Sequence, residues 1–370
     1  MNPAPPHRQR VRWRWVALAL LLPLAVAAIY WQTERLREEQ SVALAEAQWR
    51  LQMETALSRK SLAAAKAAAR AHDEALRQAQ AQAEARRLAE EQQRAEAARK
   101  RAFAAHEPGE GERWTNGLGL VFASVPGTGV LFGIWETRVR DFEAFVLAAA
   151  YDGGSKLYCV GSNGQWGVHE GFNWRNPGNT YAQSALHPVV GVSWQDAQAF
   201  CAWLTQREQK EGRLATHQIY RLPTDIEWSR AAGLENEPGS TPKEKDGQIK
   251  NVFPWGTAWP PPPQAGNFFD ETARKKYTAP LFIQGYDDGY AEAAPVGSFP
   301  PNRCGLHDLA GNVWEWCADA FDGPAGPKVL RGGSWQDADP VLLFSSNRAS
   351  LSADRRCNFV GFRVVLEGVQ

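Results

Sequence analysis

The sequence predicts an α+β protein in which a helical amino-terminal part precedes one large domain with little regular secondary structure. Three observations support this prediction: an uncharged apolar run at residues 15–31, a segment at 32–105 without Gly or Pro, and a remainder from Trp114 that is rich in Gly, Pro and Trp. Ala, Glu, Gln and Arg dominate the second segment, and these residues favour a long helix. Gly and Pro punctuate the remainder too often for long elements.

Composition limits the classes of partner. The chain has 41 basic and 41 acidic residues, so no global positive field points to nucleic acid. Five cysteines are too few for a disulfide scaffold, and none of them forms a CxxC pair. One structural disulfide is compatible with the sequence, but spacing does not reveal its connectivity.

The apolar run at 15–31 predicts a transmembrane anchor that follows a basic amino terminus at residues 1–14. Its length fits a spanning helix, and the arginines before it place the amino terminus in the cytoplasm. The alternative is a cleaved signal peptide, since Ala25-Val26-Ala27 resembles a cleavage site. Either interpretation exports the rest of the chain to the periplasmic or extracellular side of the cell membrane.

The segment at 32–105 predicts a helical, coiled-coil-like stalk, with apolar residues at nearly heptad spacing at Leu36, Leu44, Leu51 and Leu57. A single helix of this length would reach on the order of 100 Å. The stalk is either a homo-oligomer or a solvated single helix, and the sequence leaves both open. A short linker at 106–113, containing Pro108 and Gly109, ends it.

The domain at 114–370 has few but well-marked elements. Ser193 and Thr224 each begin a capping-box pattern and predict helix starts. A third helix is predicted over 138–149, where Val139, Phe142 and Val146 share one side. Short strands are predicted at 329–331 and 362–365, both bounded by glycine, and long irregular loops at 233–301.

Several motifs follow one another along this domain: His187-Pro-Val-Val-Gly-Val-Ser-Trp194, Arg221-Leu-Pro-Thr224, Phe253-Pro-Trp-Gly256, Pro295-Val-Gly-Ser-Phe299, Gly311-Asn-Val-Trp-Glu-Trp316, Arg331-Gly-Gly-Ser-Trp335 and Gly361-Phe-Arg363. In this order they resemble the formylglycine-generating enzyme, or sulfatase-modifying factor, domain family. The resemblance covers nearly all of residues 114–370 and implies a C-type-lectin-like fold. The anchor and the stalk lie outside it.

Members of that family carry structural calcium, and two sets of positions match theirs. The first set is Asp308, Gly311, Val313 and Glu315, and the second is Asn267, Phe268, Asp288 and Tyr290. Carboxylates and turn carbonyls supply the oxygen ligands that calcium prefers. The resemblance therefore implies Ca²⁺ as a cofactor. For Glu315, the alternative is a buried acid that is hydrogen-bonded to backbone amides.

The resemblance does not extend to the catalytic cysteines. Oxidases of the family carry a copper-binding cysteine pair shortly after the Arg-Gly-Gly-Ser motif, whereas the matching segment here, residues 335–344, contains no cysteine. Soft thiolates hold Cu(I), so an oxygen ligand does not replace them and copper is not expected. Cys357 lies too close to Gly361 to stand in for either member of the pair. We therefore expect no catalytic residues for formylglycine synthesis.

A binding face remains. Asp337, Asp339, Arg355 and Arg356 lie near the family's groove without matching family positions, so they are the candidate ligand contacts, and guanidinium groups can grip carboxylates or phosphates. Arg348 and Arg363 match family positions and are expected to be structural. The ligand would be a protein, a peptide or a glycan.

The sequence is consistent with three functions. The first is a membrane-anchored, noncatalytic binding module outside the cytoplasm. The second is an enzyme of the family with an altered active site, oxidising a different side chain or a small molecule. The third is a lectin-like display protein whose segment from Trp335 to Val360 is sequence-diversified. Bound copper or iron would favour the second, and a nearby template repeat with a reverse transcriptase would favour the third.

Overall fold

A computed structural model describes residues 10–57, 62–104, 113–160, 166–178 and 183–368. Two compact units divide the chain, residues 1–94 and 95–370. The predicted linker at 106–113 lies outside the described residues except for Arg113, and residues 161–165 and 179–182 lie outside them too.

The amino-terminal part contains helix α1 (Arg10–Leu57) and helix α2 (Leu62–Ala104). The indole of Trp49 on α1 stacks on the imidazole of His72 on α2, with ring centroids 4.2 Å apart and planes 14° apart. In one continuous helix these residues would lie about 35 Å apart. The two helices therefore lie alongside each other at this contact and do not form one continuous helix, while the stalk at 32–105 stays a prediction. Helix-forming composition sets helicity, whereas side-chain packing sets where a helix ends.

No helix among the described residues contains a stretch that is long and apolar enough to cross a bilayer. The predicted anchor at 15–31 falls within α1, and its side chains at 15–25, 27 and 28 lie outside the described part of the chain.

Three sheets form the second unit. A five-stranded sheet has the order β1-β2-β3-β11-β6, a four-stranded sheet has the order β10-β7-β8-β9, and β4 and β5 form a hairpin. The strands are β1 (Arg113–Thr115), β2 (Val121–Ser124), β3 (Leu131–Gly133), β4 (Lys156–Val160), β5 (Trp166–Glu170), β6 (Ile219–Arg221), β7 (Trp314–Ala320), β8 (Lys328–Arg331), β9 (Ala349–Leu351), β10 (Val360–Gly361) and β11 (Val365–Glu367).

The three predicted helices of this unit are confirmed. Ser193 caps α4 (Trp194–Lys210), and its hydroxyl accepts the Asp196 amide while the Asp196 carboxylate accepts the Ser193 amide at 2.7 Å. Thr224 and Glu227 form the same reciprocal box at the start of α5 (Asp225–Ala231). The remaining helices are α3 (Val139–Ala149), α6 (Pro242–Lys245), α7 (Glu271–Lys276) and a 3₁₀ helix (Pro340–Leu343).

The predicted strand at 329–331 is confirmed within β8, whereas the one at 362–365 is wrong except at its last residue. The chain leaves the four-stranded sheet after β10 and joins the five-stranded sheet at β11, so residues 362–364 connect the two sheets. The side chains of Phe362 and Arg363 are both fully buried there. An apolar, glycine-bounded run does not distinguish a strand from a buried connection.

The largest core cluster lies between α3, α4 and the end of the chain. Phe142 meets Phe145 and Phe362 edge-on, with centroids 5.3 and 6.4 Å apart. Trp316 is fully buried beside them and donates its indole N–H to the carbonyl of Val192 at 3.1 Å. This core fixes the position of β7, which carries Glu315, and of the turn at 308–312 that precedes it.

Candidate functional site

The turn that leads into β7 depends on left-handed backbone at Asp308, Gly311 and Asn312, with φ of 58°, 77° and 58°. Asp and Asn tolerate this region, because their short side chains bond locally. At Gly311 a Cβ would overlap the carbonyl oxygen of Asn267 and would lie 2.7 Å from the ring of Phe268. Only glycine fits this close approach.

The side chain of Asn312 joins three segments around this turn. Its amide oxygen accepts the Ala294 backbone N–H at 2.8 Å and the Asn267 side-chain amide at 3.2 Å. Its amide nitrogen donates to Glu136 Oε1 at 3.0 Å. Because Asn312 is fully buried, each of these bonds replaces one that water would otherwise make.

Glu315, a predicted calcium ligand, forms a buried ion pair with Arg363. Arg363 Nη2 lies 2.5 Å from Oε1 and Arg363 Nε lies 2.7 Å from Oε2, which also accepts the indole N–H of Trp228 at 3.0 Å. Glu315 and Arg363 are completely excluded from solvent. A guanidinium and an indole therefore occupy this carboxylate, and not the backbone amides that the alternative interpretation named.

Glu136 and Asp308 form a second buried acidic pair next to that ion pair. Burial, together with the charges of Asp308 and Glu315, raises the pKa of Glu136 well above its usual value. Burial also raises the pKa of Asp308. No N–H donor reaches Glu136 Oε2 or Asp308 Oδ1, and the two carboxyl groups interact with each other through a hydrogen bond. Sequence patterns gave no signal for Glu136, because a single acid outside any motif is most often on the surface.

The second predicted calcium set comes together in space. The carboxylate of Asp288 accepts the amide of Phe268 at 2.9 Å and that of Tyr290 at 2.8 Å. Burial, reinforced by the neighbouring Asp270, raises the pKa of Asp288 to about 8. Asn267 also hydrogen-bonds to Asn312 through its carbonyl oxygen, so the two predicted sets adjoin each other.

The donor sets fit a cation only in part. Asp308 Oδ1, Glu136 Oε2 and Asn267 Oδ1 are buried oxygens without an N–H donor, which suits calcium. Among the described residues, no three Asp, Glu, His or Cys side chains are arranged to hold a metal ion. Calcium here would therefore need main-chain carbonyls, such as those of Gly311 and Val313, beside one or two carboxylates.

Three of the four candidate ligand contacts, Asp337, Asp339 and Arg356, bond to neighbouring protein groups. The Asp337 carboxylate accepts the backbone N–H and the hydroxyl of Ser334 at 2.8 and 2.9 Å, and burial raises its pKa to about 6. Asp339 caps the 3₁₀ helix. Arg356 Nε lies 2.7 Å from Asp196 Oδ2. Arg355 is exposed, and its role as a ligand contact stays a prediction.

Arg331 and Arg348 belong to the interior. Both bond to the carboxylate of Asp225, Arg331 Nη1 at 2.5 Å and Arg348 Nη2 at 2.9 Å. Burial acts to raise the pKa of Asp225. The two guanidinium groups outweigh this effect and hold the pKa below its usual value. Arg348 also pairs with Glu237 at 2.7 Å. This network ties α5 to β8 and is structural.

Two buried thiols, Cys159 and Cys357, lie close enough to interact, and both lie outside the segment at 335–344. All five cysteines are free; Cys159, Cys201, Cys317 and Cys357 are buried, and Cys304 is half-buried. Burial raises the pKa of Cys357 to about 12, so its thiol stays protonated near neutral pH. The thiolate is the form that binds soft metals. The segment itself forms a turn and the 3₁₀ helix, with Val341 and Leu342 partly exposed.

An aromatic surface lies on the β4–β5 hairpin, and we call it the hairpin face. It consists of Tyr158, Trp166, Val168 and the adjacent Phe359. Trp166 is 42% and Val168 54% exposed. The Trp166 ring lies 5.8 Å from that of Tyr158 and 6.2 Å from that of Phe359. Sequence patterns gave no signal for this surface, because only the pairing of β4 with β5 brings these side chains together.

Comparison with protein families matches residues 131–368 to the sulfatase-modifying factor enzyme 1-like domain. The inactive C-alpha-formylglycine-generating enzyme 2 of Mus musculus is 38% identical over 170 residues, which cover 44% of each chain. The formylglycine-generating enzyme of Mus musculus is 32% identical over 246 residues, covering 56% of this chain and 57% of that protein. The chain thus spans about half the length of these relatives.

Solved structures also match. PvdO from Pseudomonas aeruginosa aligns with a TM-score of 0.46 and 21% identity, over 71% of this chain and 100% of that one. A variable protein from Treponema denticola aligns with a TM-score of 0.38 and 21% identity, over 70% of this chain and 99% of that one.

Proposed function

Because this chain belongs to the sulfatase-modifying factor enzyme 1-like domain family, we propose that it is a noncatalytic member that acts as a binding module outside the cytoplasm. The observation that carries this proposal is the segment at 335–344, which has no cysteine. Relatives named as inactive formylglycine-generating enzymes support it, because the family contains proteins without that activity. Cys159 and Cys357 do lie close enough to interact, but both are buried and burial raises the pKa of each thiol, which disfavours the thiolate form that binds copper.

We expect the purified full-length chain to leave the cysteine of a Cys-X-Pro-X-Arg peptide unoxidised in the presence of copper and oxygen. Mass spectrometry of the peptide measures aldehyde formation, and a formylglycine-generating enzyme from Mus musculus serves as the positive control. Copper-dependent conversion by this chain would contradict the proposal. Stoichiometric copper or iron in the purified protein would point instead to altered oxidative chemistry.

We propose that the hairpin face binds a polypeptide. Trp and Tyr are enriched where protein interfaces are buried, and a few such residues carry most of the binding energy. Trp166 is the most exposed aromatic residue of this face, and its stacking on Tyr158 keeps the ring in place before binding. Preorganisation of this kind lowers the entropy that association costs.

Replacing Trp166 by Ala is expected to weaken binding about tenfold or more, which corresponds to at least about 1.4 kcal/mol. The probe is a peptide selected from a displayed library on the wild-type chain, and fluorescence anisotropy measures its Kd. Trp259→Ala, at another partly exposed indole, is the matched control and should leave binding unchanged. Equal binding by both variants, or binding only to an array of oligosaccharides, would refute a peptide site on this face.

We also propose calcium at the two adjoining sets, supported by the side chains of Asp308, Glu136 and Asn267, each of which has a buried oxygen that no N–H donor reaches. Calcium should raise the thermal midpoint of the second unit, because a ligand at 100 times its Kd adds about 2.7 kcal/mol. Differential scanning fluorimetry with calcium and with a chelator measures the shift. The shift should be reduced in Asp308→Asn and in Asp288→Asn and unchanged in Asp322→Asn, at an exposed surface acid. No calcium-dependent shift would exclude both sites.

Membrane anchoring is proposed from the sequence of residues 1–31 alone. Protease treatment of intact cells checks it, since an anchored chain with an exported second unit is digested from outside while its amino terminus stays protected. In cells with an outer membrane, that membrane is permeabilised first so that the protease reaches the periplasm. Resistance of the second unit under these conditions, with digestion only after the inner membrane is lysed, would place it in the cytoplasm.

A further inference from the structure

Helix α1 has apolar side chains on two opposite sides. On one side Trp49 and Met53 are half-buried, and Trp49 stacks on His72 of α2. Residues 49 and 53 lie one turn apart, so they belong to the same face. On α2, His72 and Leu76 are likewise half-buried. This side of α1 is therefore the one that packs on α2.

The opposite side is exposed. Val26, Ile29, Leu36, Leu44 and Leu51 are 51–67% exposed. At 3.6 residues per turn they fall within about 80° of one another, and the centre of the stripe lies about 180° from Trp49. We call this the free stripe. Because α2 packs on the side of α1 that carries Trp49, it does not cover the apolar side chains of the free stripe.

The spacing along the free stripe is that of a coiled-coil seam. Steps of three and four residues connect eight positions, all exposed: Val26, Ile29, Thr33, Leu36, Gln40, Leu44, Ala47 and Leu51. The alternation is that of a heptad repeat, with one four-residue insertion at Gln40. Such an insertion unwinds the supercoil locally without breaking the seam.

We propose that the free stripe is the seam of a parallel, two-stranded coiled coil between two copies of this chain. None of the eight positions carries a charge, so no like charges meet when each residue faces its own counterpart across the two-fold axis. Gln40 would face the partner's Gln40, and an amide both donates and accepts. One polar residue in a seam fixes the register of the two helices.

The area agrees with a weak dimer that the membrane segment reinforces. Leu36, Leu44 and Leu51 each leave on the order of 100 Å² exposed, so two copies would bury roughly 600 Å² from water. Val26 and Ile29 fall within the proposed anchor, where they would extend the seam by packing between the two spanning segments. The inference concerns α1 alone and does not depend on the proposed binding function.

Cysteine cross-linking of the full-length chain tests the seam. Leu44→Cys and Leu51→Cys, each combined with Cys304→Ser to remove the half-buried thiol, should form dimers under mild oxidation at least tenfold faster than Ala45→Cys in the same background. Ala45 is exposed on α1 but lies about 140° from the centre of the free stripe. In a parallel dimer, identical seam positions come within the reach of a disulfide, whereas off-seam positions do not.

A second experiment measures the molar mass of the full-length chain by light scattering in mild detergent. The wild-type chain should have twice the mass of one chain, and Leu44→Glu with Leu51→Glu should halve it while circular dichroism shows unchanged helix content. Equal cross-linking rates at residues 44, 51 and 45 would overturn the proposal. So would a monomeric wild-type mass at tens of micromolar, or cross-linking only to a different protein.

Discussion

Replacing Arg363 by Met is expected to lower the free energy of unfolding of the second unit by about 3–5 kcal/mol, because it leaves the carboxylate of Glu315 buried without its partner. Arg363 contributes more than charge, since it also donates to the carbonyls of Gly133 at 3.2 Å and His307 at 2.9 Å. These bonds join β3, β7 and the connection at 362–364. Urea unfolding followed by tryptophan fluorescence measures the loss.

Two further variants show whether the buried ion pair is the cause. Arg355→Met removes an exposed arginine of the same segment and should change stability by less than about 0.5 kcal/mol. Adding Glu315→Gln to Arg363→Met should restore part of the loss, because the unpaired charge disappears while the amide can still accept the indole N–H of Trp228. A loss below about 1 kcal/mol in Arg363→Met would show that water or a rearranged side chain compensates for the missing guanidinium.

Gly311→Ala is expected to lower the free energy of unfolding by about 3 kcal/mol or more. Two costs add: left-handed backbone at φ of 77°, and overlap of the new methyl with the Asn267 carbonyl and the Phe268 ring. Because Asn267 and Phe268 belong to the second predicted calcium set, the same change should also weaken calcium binding. Thermal unfolding with and without calcium measures both effects.

Gly119→Ala separates the two costs. Gly119 has nearly the same φ, 79°, but a Cβ there meets nothing within 4 Å. Only the backbone cost of about 1–2 kcal/mol is then expected. Equal losses at the two glycines would mean that the turn around Gly311 relaxes without strain, and that the close approach to Asn267 is not required.

Local patterns predicted the helices of the second unit well. The boxes at Ser193 and Thr224 need only residues three positions apart, so tertiary contacts add little to them. Helicity at residues 32–57 and 62–104 likewise followed from composition, but the packing of α2 against α1 did not. The Trp49–His72 contact joins residues far apart in sequence, which composition and periodicity do not encode.

The site was predicted unevenly for the same reason. The sequence identified Glu315 and Asp288 through motifs, yet it gave no indication that Arg363 holds Glu315 or that Glu136 lies beside Asp308. It also named Arg356 as a ligand contact, whereas that guanidinium pairs with Asp196 of α4. Charged residues look alike in a sequence, and only their neighbours show whether they are exposed or paired.

The sequence by itself determined the family, the capped helices and the loss of the cysteine pair, because each depends on residue identity at fixed spacing. Only the tertiary structure decided which acids are paired, which thiols are buried and which side of α1 is exposed. Burial and pairing depend on segments that are distant along the chain, and they set both the pKa values and the surfaces left for partners.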